Sequence, residues 1–350
     1  MADDPTGLLL RHRVMVDGRD ISPQIFPRLQ RMSVRDASGQ VADTAEVELD
    51  DRGGSILLPR AGVAIEIRMG DRFGLGLVFA GVVDSVRSRG DRSGGRILAI
   101  SAKGADVLGR AKQLQERHFD NVTIGEALRL AGQAAGIAEI RIDPDLDQIS
   151  REYLAMEGES FLAFGQRLAR EIGGTFKVSG SRALLVKRNG GTTASGRSMG
   201  AVPAKGGENL FAWDIAPFVS RPRHGRATAR HYDPDQARLE QSSVEIDDDT
   251  TSAELFVRYP AADGDAARDQ AAAAAAEVER AGGVGTVTID GDLRAKPGAI
   301  CQVRNTRPGI DGDYLIDAVE HAIDRASGMT TRIELGRPQN GAGIDARRGS

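Results

Sequence analysis

The sequence predicts a mainly β protein with an α+β insertion, in which two similar β-barrel domains flank a small α+β domain. Two observations predict this fold class. Short alternations of apolar and polar residues, as at 63–68, recur in the first hundred residues and in the last third of the chain, and they are typical of half-buried strands. Between these blocks the spacing becomes partly helical. We place the first barrel at 1–104, the inserted domain at 105–188 and the second barrel at 209–337.

The first barrel is predicted from five strands and one tight turn. No long helical period interrupts this block, and many short strands without helices are typical of a barrel or a sandwich. Asp17-Gly18 is a pair that favours a turn and ends the first strand. The predicted strands are 8–16, 44–49, 63–68, 77–86 and 96–101.

The inserted domain is predicted to contain two helices and a hairpin. Apolar residues recur on one side of the helix at 123–135, which Asp120 or Thr123 caps and Gly136 ends. A second helix at 160–172 has the same kind of apolar face. The hairpin strands are 175–178 and 183–187, joined at Ser179-Gly180.

The last third is predicted as a flexible connector, a second barrel and a loose tail. Residues 189–208 include six glycines, a composition typical of a flexible linker. One helix, at 265–281, interrupts the strands of the second barrel, and 338–350 is the tail. The predicted strands start at 210 and continue at 226–232, 238–246, 253–257, 284–289, 299–304, 314–323 and 330–335.

The two strand-rich blocks are similar to each other. At a shift of 236 positions, without gaps, residues 61–68 fall on 297–304, and 7 of the 38 residues from 61 to 98 are identical. Any two β-meanders share part of this pattern, which is the alternative to a duplication. Three copies of a duplicated chain would present six near-equivalent faces to a six-fold partner. The repeat strands are the predicted interface: Ile65, Glu66, Ile67, Arg68, Cys301, Gln302, Val303 and Arg304.

Composition excludes several classes of protein. The chain has 350 residues, of which 40% are hydrophobic and 27% charged, as in folded rather than disordered proteins. Its 46 basic and 50 acidic residues give a net charge of −4, whereas nucleic-acid binders carry a basic excess. No stretch approaches the about 20 apolar residues of a membrane span, and no signal peptide is visible. We therefore expect assembly in the cytoplasm, without membrane insertion.

No motif predicts catalysis or a metal site. Ser198 lies in a GxSxG match, but no buried strand precedes it and no helix follows it. The acidic stretch 143–147 lacks the glycine and glutamate of a calcium loop, and 247–249 fits a solvated turn. Cys301 lies in an apolar strand, and the five histidines are scattered. We predict no catalytic residue, no metal and no cofactor.

An ordered set of motifs resembles one family. The stretches 115–126 and 159–169, the latter followed by Gly173-Gly174, are similar to the phage late control gene D family of tail baseplate hub proteins. The set continues with 229–234, 312–316 through His321, and 328–331. The resemblance covers nearly the whole chain, although residues 193–208 show no family feature.

The resemblance implies a structural role in a contractile phage tail, a tailocin or a related injection particle. The expected assembly is a homotrimer whose two tube-type barrels per chain form a pseudo-six-fold ring. The expected partners are a trimeric spike protein, the tail tube or its initiator, and the tape-measure protein. The ring would act as a conduit for DNA or effectors, with the inserted domain on its periphery. No sequence-specific nucleic-acid contact is expected.

Two alternatives from other functional classes stay open at this point. A tail-associated cell-wall hydrolase would use paired carboxylates, which can be distant in the sequence. A glycan- or DNA-binding module is the other, because residues 120–136 weakly resemble a LysM unit. Turnover of peptidoglycan, or glycan capture that requires 105–188, would favour these alternatives over an assembly role.

Overall fold

The protein is mainly β, as predicted. A computed structural model describes residues 12–38, 42–71, 74–91, 95–104, 109–188, 199–216, 224–246, 251, 253–280, 284–325, 327–339 and 342. Its strands form one sheet of 13 strands and three small sheets.

The first block of the chain supplies seven strands of the large sheet. They are β1 (His12–Val16), β2 (Arg19–Asp20), β3 (Leu29–Ala37), β4 (Thr44–Asp50), β5 (Ala64–Asp71), β6 (Gly74–Asp91) and β7 (Gly95–Lys103), with a helical turn, α1 (Ser22–Ile25), between β2 and β3. Their order is β3-β4-β7-β6-β5-β1-β2. Asp17 and Gly18 have φ of 49° and 73°, which is the left-handed geometry of a two-residue hairpin turn.

The inserted domain has two small sheets and two amphipathic helices. Its elements are β8 (Leu114–Thr123), α2 (Ile124–Ala134), β9 (Glu139–Ile142), α3 (Pro144–Asp147), β10 (Ser150–Ser160), α4 (Phe161–Glu171), β11 (Gly174–Ser179) and β12 (Arg182–Lys187). β8 pairs with β10, and β12 lies between β11 and β9. Thr123 and Glu126 form a capping box that starts α2, so the predicted Thr123 cap is confirmed. Strands β8 and β10 were not predicted.

The last block completes the large sheet and adds a second insertion. Its elements are β13 (Ala201–Lys205), β14 (Leu210–Ala216), β15 (Arg226–Asp233), β16 (Arg238–Glu245), β17 (Glu254–Phe256), α5 (Gly264–Arg280), β18 (Val284–Asp290), β19 (Ile300–Arg304), β20 (Gly312–Asp324) and β21 (Gly328–Pro338). Strands β15, β16 and β17 form a separate sheet against α5 rather than part of the second barrel. Alternation predicts that a segment is a strand but not which strand it pairs with.

The two blocks of the large sheet share one strand order. The second block runs β13-β19-β20-β21-β18-β14, which matches β1-β5-β6-β7-β4-β3 position for position. Both blocks have a bulge at equivalent places, after Leu29 and after Leu210. A further pair of bulges follows Val83 and Ile316. One difference is that β1 runs antiparallel to β5, whereas β13 runs parallel to β19.

The correspondence between the blocks needs gaps that the sequence comparison lacked. Cys301 lies 236 positions after Ile65 and faces Tyr314, as Ile65 faces Gly81. Tyr314 lies only 233 positions after Gly81, because the second hairpin is three residues shorter. The ungapped shift of 236 is therefore right for β5 and β19 and wrong for the strands that follow them.

A strand that was not predicted joins the two blocks into one sheet. β3 pairs with β4 on one edge and with the last seven residues of β20 on the other. Its buried residues Leu29, Met32 and Val34 are spaced by three and then by two, because the bulge interrupts the alternation. This irregular spacing explains why the strand pattern was missed.

Each block surrounds its own apolar core. Strands from both ends of the first block contribute to one cluster, which includes Val14, Met32 and Ile67, so this part of the sheet is strongly curled. Ile323 and Met329 of the second block complete the same cluster. The second block has its own core around Val287 and Ile333, and the inserted domain has a third. The described strand order is an open path, and each block forms a curled half-sheet around its core. The two half-sheets share one joint, the pairing of β3 with the last seven residues of β20.

A lysine attaches the inserted domain to the first block. Nζ of Lys177, on β11, donates to carboxylates of Asp36 and Asp43, the latter at 2.9 Å. Burial by itself lowers the pKa of Lys177, but Asp36 and Asp43 outweigh it and the pKa is raised. The lysine is therefore charged, and it compensates two carboxylates that would otherwise repel each other.

Replacing Lys177 by Met is expected to lower the free energy of unfolding by about 2 kcal/mol, because the two carboxylates lose their shared cation. Lys103→Met is the matched control, since its ion pair with Asp84 is more exposed, with 43% of the lysine side chain accessible. That control is expected to lose about 0.5 kcal/mol or less. Chemical denaturation measures both losses, and equal losses would contradict the anchoring role.

A histidine is buried beside the joint. His321 lies on β20 opposite Val34, and its Nδ1 is 3.0 Å from the hydroxyl of Thr331. That hydroxyl also accepts a hydrogen bond from the backbone N–H of Asp292. Burial lowers the pKa of His321 to about 4. The neutral ring is therefore the folded form over most of the acidic range.

Acidification is expected to destabilise the fold through His321. The unfolded chain binds this proton as the pH falls below 6.5, whereas the folded chain resists it until about pH 4. The stabilisation is thus complete above pH 6.5 and is lost as the pH falls towards 4, by on the order of 3 kcal/mol. Denaturation of the chain and of His321→Gln at both pH values measures it. The variant is expected to show the smaller drop, and identical drops would exclude this role.

Candidate assembly site

One end of the large sheet is an exposed edge strand, β14. It pairs with β18 on one side, and apart from a single bridge between Leu210 and Gly206 no strand among the described residues pairs with it elsewhere. Phe211 and Trp213 on this strand are 58% and 48% exposed. An edge strand presents a row of backbone N–H and C=O groups that another strand can pair with. β14 is therefore a candidate for contact with another chain.

The far end of β6 is a second open edge. β5 pairs with β6 only up to Val82, and two backbone hydrogen bonds of Val83, with Gly62 and Val63, extend the contact by one residue. From 85 to 91 the other side of β6 still pairs with β7. The β5 side of this stretch has no strand partner in the described part of the chain. Arg87, Ser88 and Arg89 within it are exposed.

The joint between β3 and the end of β20, the filled joint, shows how an edge of this kind is paired. The first part of β20 pairs with β19 as far as Leu315, and the last seven residues pair on that side with β3 instead. The position that β3 occupies beside β20 corresponds to the open stretch of β6. The chain therefore contains one filled and one open example of the same contact.

Ion pairs reinforce the filled joint. Arg35 on β3 donates two hydrogen bonds to Glu334, of 2.7 and 3.0 Å, and Arg31 donates to Glu320 at 2.8 Å. Hydrogen bonding to Glu334 raises the pKa of Arg35, and the same bonds lower the pKa of Glu334. Opposite charges across the joint thus add to the backbone pairing.

The predicted interface residues divide into two sets. Ile65 and Ile67 on β5, and Cys301 and Val303 on β19, are at most 3% exposed and belong to the cores of the two blocks. These four cannot contact another chain, because alternation turns them inward. The other four residues are turned away from the cores and remain available: Glu66, Arg68, Gln302 and Arg304. Both strands are paired on both sides, so their edges are closed.

Sequence reasoning missed both open edges. The signal that was available is the single tryptophan of the chain, Trp213, which alternates with Phe211 and Ile215 on a predicted strand. Aromatic residues on an exposed strand are typical of protein interfaces. For β6 no such signal exists, because the stretch from 85 to 91 consists mainly of small and charged residues. Its capacity to pair with another strand lies in its backbone groups rather than in its side chains.

The two insertions meet at a groove of about 920 Å³ between α4 and α5. Arg167 at its side donates to Glu159 at 2.8 and 2.9 Å, to the Ala155 carbonyl and to Glu171. Hydrogen bonding to Glu159 raises the pKa of Arg167. Buried Arg151 bridges to Asp269 of α5 at 2.5 Å. The Arg151–Asp269 ion pair links the two insertions, whereas the contacts of Arg167 all lie within the first insertion.

The residues whose motifs resemble catalytic or metal sites have structural roles wherever they fall within the described segments. Ser198 and residues 247–249 lie outside the described residues. The acidic stretch is the turn α3, where Asp143 caps the helix, Asp145 pairs with Lys187 and Asp147 pairs with Arg129. Burial raises the pKa of Cys301 to about 12, which makes it an inert thiol. Within the described residues no group of three or more His, Cys, Asp or Glu could hold a metal ion.

None of the helices in the described segments is long and apolar enough to cross a bilayer.

Several known proteins are similar to this chain in sequence or in fold. The probable baseplate hub protein of Escherichia phage P2 is 31% identical over 190 residues, which cover 54% of this chain and 48% of that relative. The chain thus spans about half the length of this curated relative.

Two solved structures share the fold. The 43 kDa tail protein of prophage MuSo2 from Shewanella oneidensis has a TM-score of 0.70 and 16% identity, covering 93% of this chain and 98% of that one. The tail protein from Neisseria meningitidis MC58 has a TM-score of 0.69 and 17% identity, covering 93% and 96%.

A family model described as phage tail baseplate hub (GPD) matches residues 42–327, which include the inserted domain and most of both blocks of the large sheet. Because this match covers far more than half of the chain, the protein belongs to the phage tail baseplate hub family.

Proposed function

We propose that three copies of the chain form a ring that joins the six-fold tail tube to the three-fold central spike. The observation that supports this proposal is the shared strand order of the two blocks, with two pairs of bulges at equivalent places. Each chain then contributes two similar half-sheets, and three chains contribute six. In this proposal the chain is a structural part and performs no catalysis.

The physical advantage of the duplication is a match of symmetries. A ring of three identical single units offers a hexameric partner only three equivalent sites, whereas six similar half-sheets offer one to each subunit. The other face of the ring keeps three-fold symmetry, because the two insertions differ from each other in fold. We propose that the tube contacts the half-sheets and that the spike contacts the three-fold face.

The outward residues of the two repeat strands are proposed contacts within this assembly. Glu66 and Arg68 on β5 correspond to Gln302 and Arg304 on β19, and they occupy equivalent positions in the two half-sheets. In the proposed ring they would be presented six times. DNA or effector proteins would pass through the centre, and the chain would function in the baseplate of a virion or of a phage-like particle.

Light scattering of the purified chain is expected to give about 112 kDa, which is three times the 37.2 kDa of one chain, and negative-stain images are expected to show a ring with six similar lobes. The measurement is made alone and after mixing with the trimeric spike protein, which adds a second point of attachment for each copy. The same sample is expected to leave peptidoglycan intact. A monomer under both conditions, or turnover of peptidoglycan, would contradict the proposal.

A further inference from the structure

The filled joint between β3 and β20 has two counterpart edges, on β14 and on the far end of β6, and neither has a strand partner within the described segments. β14 occupies in the second block the place of β3, because Trp213 faces Val287 as Met32 faces Val47. β6 occupies in the first block the place of β20, because Val86 faces Ile100 as Val319 faces Ile333. The chain thus has a second strand equivalent to β3 and a second strand equivalent to β20. These two strands can form the same contact between two copies of the chain.

We propose that β14 of one copy pairs antiparallel with residues 85–91 of β6 in a second copy, with Asp214 opposite Arg89 and Trp213 opposite Gly90. This inference rests on the proposed ring and names the strand contact that closes it. The register follows from the filled joint, where Ser33 faces Ala322 and Met32 faces Ile323. Each of those residues is replaced by its equivalent in the other block.

Residues in the filled joint are buried, whereas their equivalents at the open edges are exposed, as the proposed pairing requires. His321, Ala322 and Ile323 are buried on β20, whereas their equivalents Ser88, Arg89 and Gly90 are exposed on β6. Across the joint, Met32 has no exposed surface. Its equivalent, Trp213, leaves 48% of its surface exposed on the side of the sheet that faces the core. A neighbouring copy would bury the residues at the open edges, just as the chain itself buries their equivalents in the filled joint.

The side chains at the open ends fit this register. The largest residue of the chain, Trp213, would face Gly90, which leaves room for the indole ring. Asp214 lies on the outer face of the sheet, since Trp213 beside it points inward. Arg89 is on the outer face as well, because it donates a hydrogen bond to Glu48 there. Opposite charges directly across two strands stabilise the pair.

The same charges oppose a symmetric dimer. Two copies of β14 placed edge to edge would bring Asp214 near Asp214, and two copies of β6 would bring Arg87 and Arg89 near their equivalents. Like charges opposite each other destabilise strand pairing. The contact is therefore head-to-tail, which is the kind that closes into a ring when its rotation allows.

The backbone of the filled joint identifies the best position for a cross-link. The N–H of Ser38 donates to the Asp317 carbonyl at 2.8 Å, so these two residues form a hydrogen-bonded pair. Along two antiparallel strands, hydrogen-bonded pairs alternate with non-hydrogen-bonded pairs. Ser33 and Ala322 then form a non-hydrogen-bonded pair, in which side chains lie closest. Asp214 and Arg89 inherit this position and suit a disulfide.

The double variant Asp214→Cys/Arg89→Cys of the full chain tests the register. Oxidation is expected to link it into dimers and then trimers on non-reducing gels, at least tenfold faster than Asp214→Cys/Arg87→Cys, which is offset by two residues. Each single variant is expected to stay unlinked. The native Cys301 does not interfere, because it is fully buried.

The outcomes separate this inference from the proposed function. A trimer by light scattering whose double variant does not cross-link overturns the register and leaves the ring intact. Efficient cross-links in particles that are not trimers support the strand contact and overturn the trimeric ring. Disulfide dimers of Asp214→Cys alone show a symmetric β14 contact and overturn the inference, as does a chain that stays monomeric and unlinked at high concentration.

Charge reversal gives a second test that does not depend on oxidation. Asp214→Arg is expected to raise the dissociation constant of the assembly about tenfold or more, because it places three arginines around the contact. Asp235→Arg, on an exposed turn after β15, is the matched control and is expected to leave assembly unchanged. Because Trp213 is the only tryptophan, its emission is expected to shift to the blue as the chain assembles. An emission that does not respond to assembly would contradict burial of Trp213.

Discussion

The structure depends on one requirement, which is that the backbone groups along a strand edge need hydrogen-bond partners. A strand carries backbone donors and acceptors on both sides, and groups left unpaired away from water are costly. β20 meets this requirement by changing partner along its length, from β19 to β3. That change fuses the two blocks into one sheet of 13 strands and lets Ile323 and Met329 fill the core of the other block. The open edges at β14 and at the far end of β6 are the corresponding places in the two blocks where, among the described residues, this contact is not made.

Charged groups link the inserted domain to this frame and to the second insertion. Lys177 fixes the inserted domain to the first block, and Arg151 fixes it to α5 through Asp269. Both cations have little exposed surface, and each is matched to carboxylates on another element. Such pairs give orientation as well as stability, since a buried charge is tolerated only where its partner is. The insertions can therefore differ between the two blocks while the sheet keeps its repeated order.

Much of the fold and little of the candidate site could be predicted from sequence. The helices α2 and α4, the Thr123 cap of α2 and the β11–β12 hairpin have local causes and were predicted within a residue or two. β3 was missed because its bulge breaks the alternation, and β15 to β17 were assigned to the wrong sheet. Half of the predicted interface residues are in the cores, because the repeat was recognised on apolar positions, which are the inward ones.

By itself, the sequence determined the fold class, the order of most elements, the existence of a repeat and the family resemblance, since all of these depend on local patterns and on their succession along the chain. Only the tertiary structure decided which strands pair, where the gaps in the repeat lie and which edges stay open. Strand pairing joins residues that are hundreds of positions apart, as Arg31 and Asp324 are. Backbone groups make that pairing, and they are the same in every residue except proline.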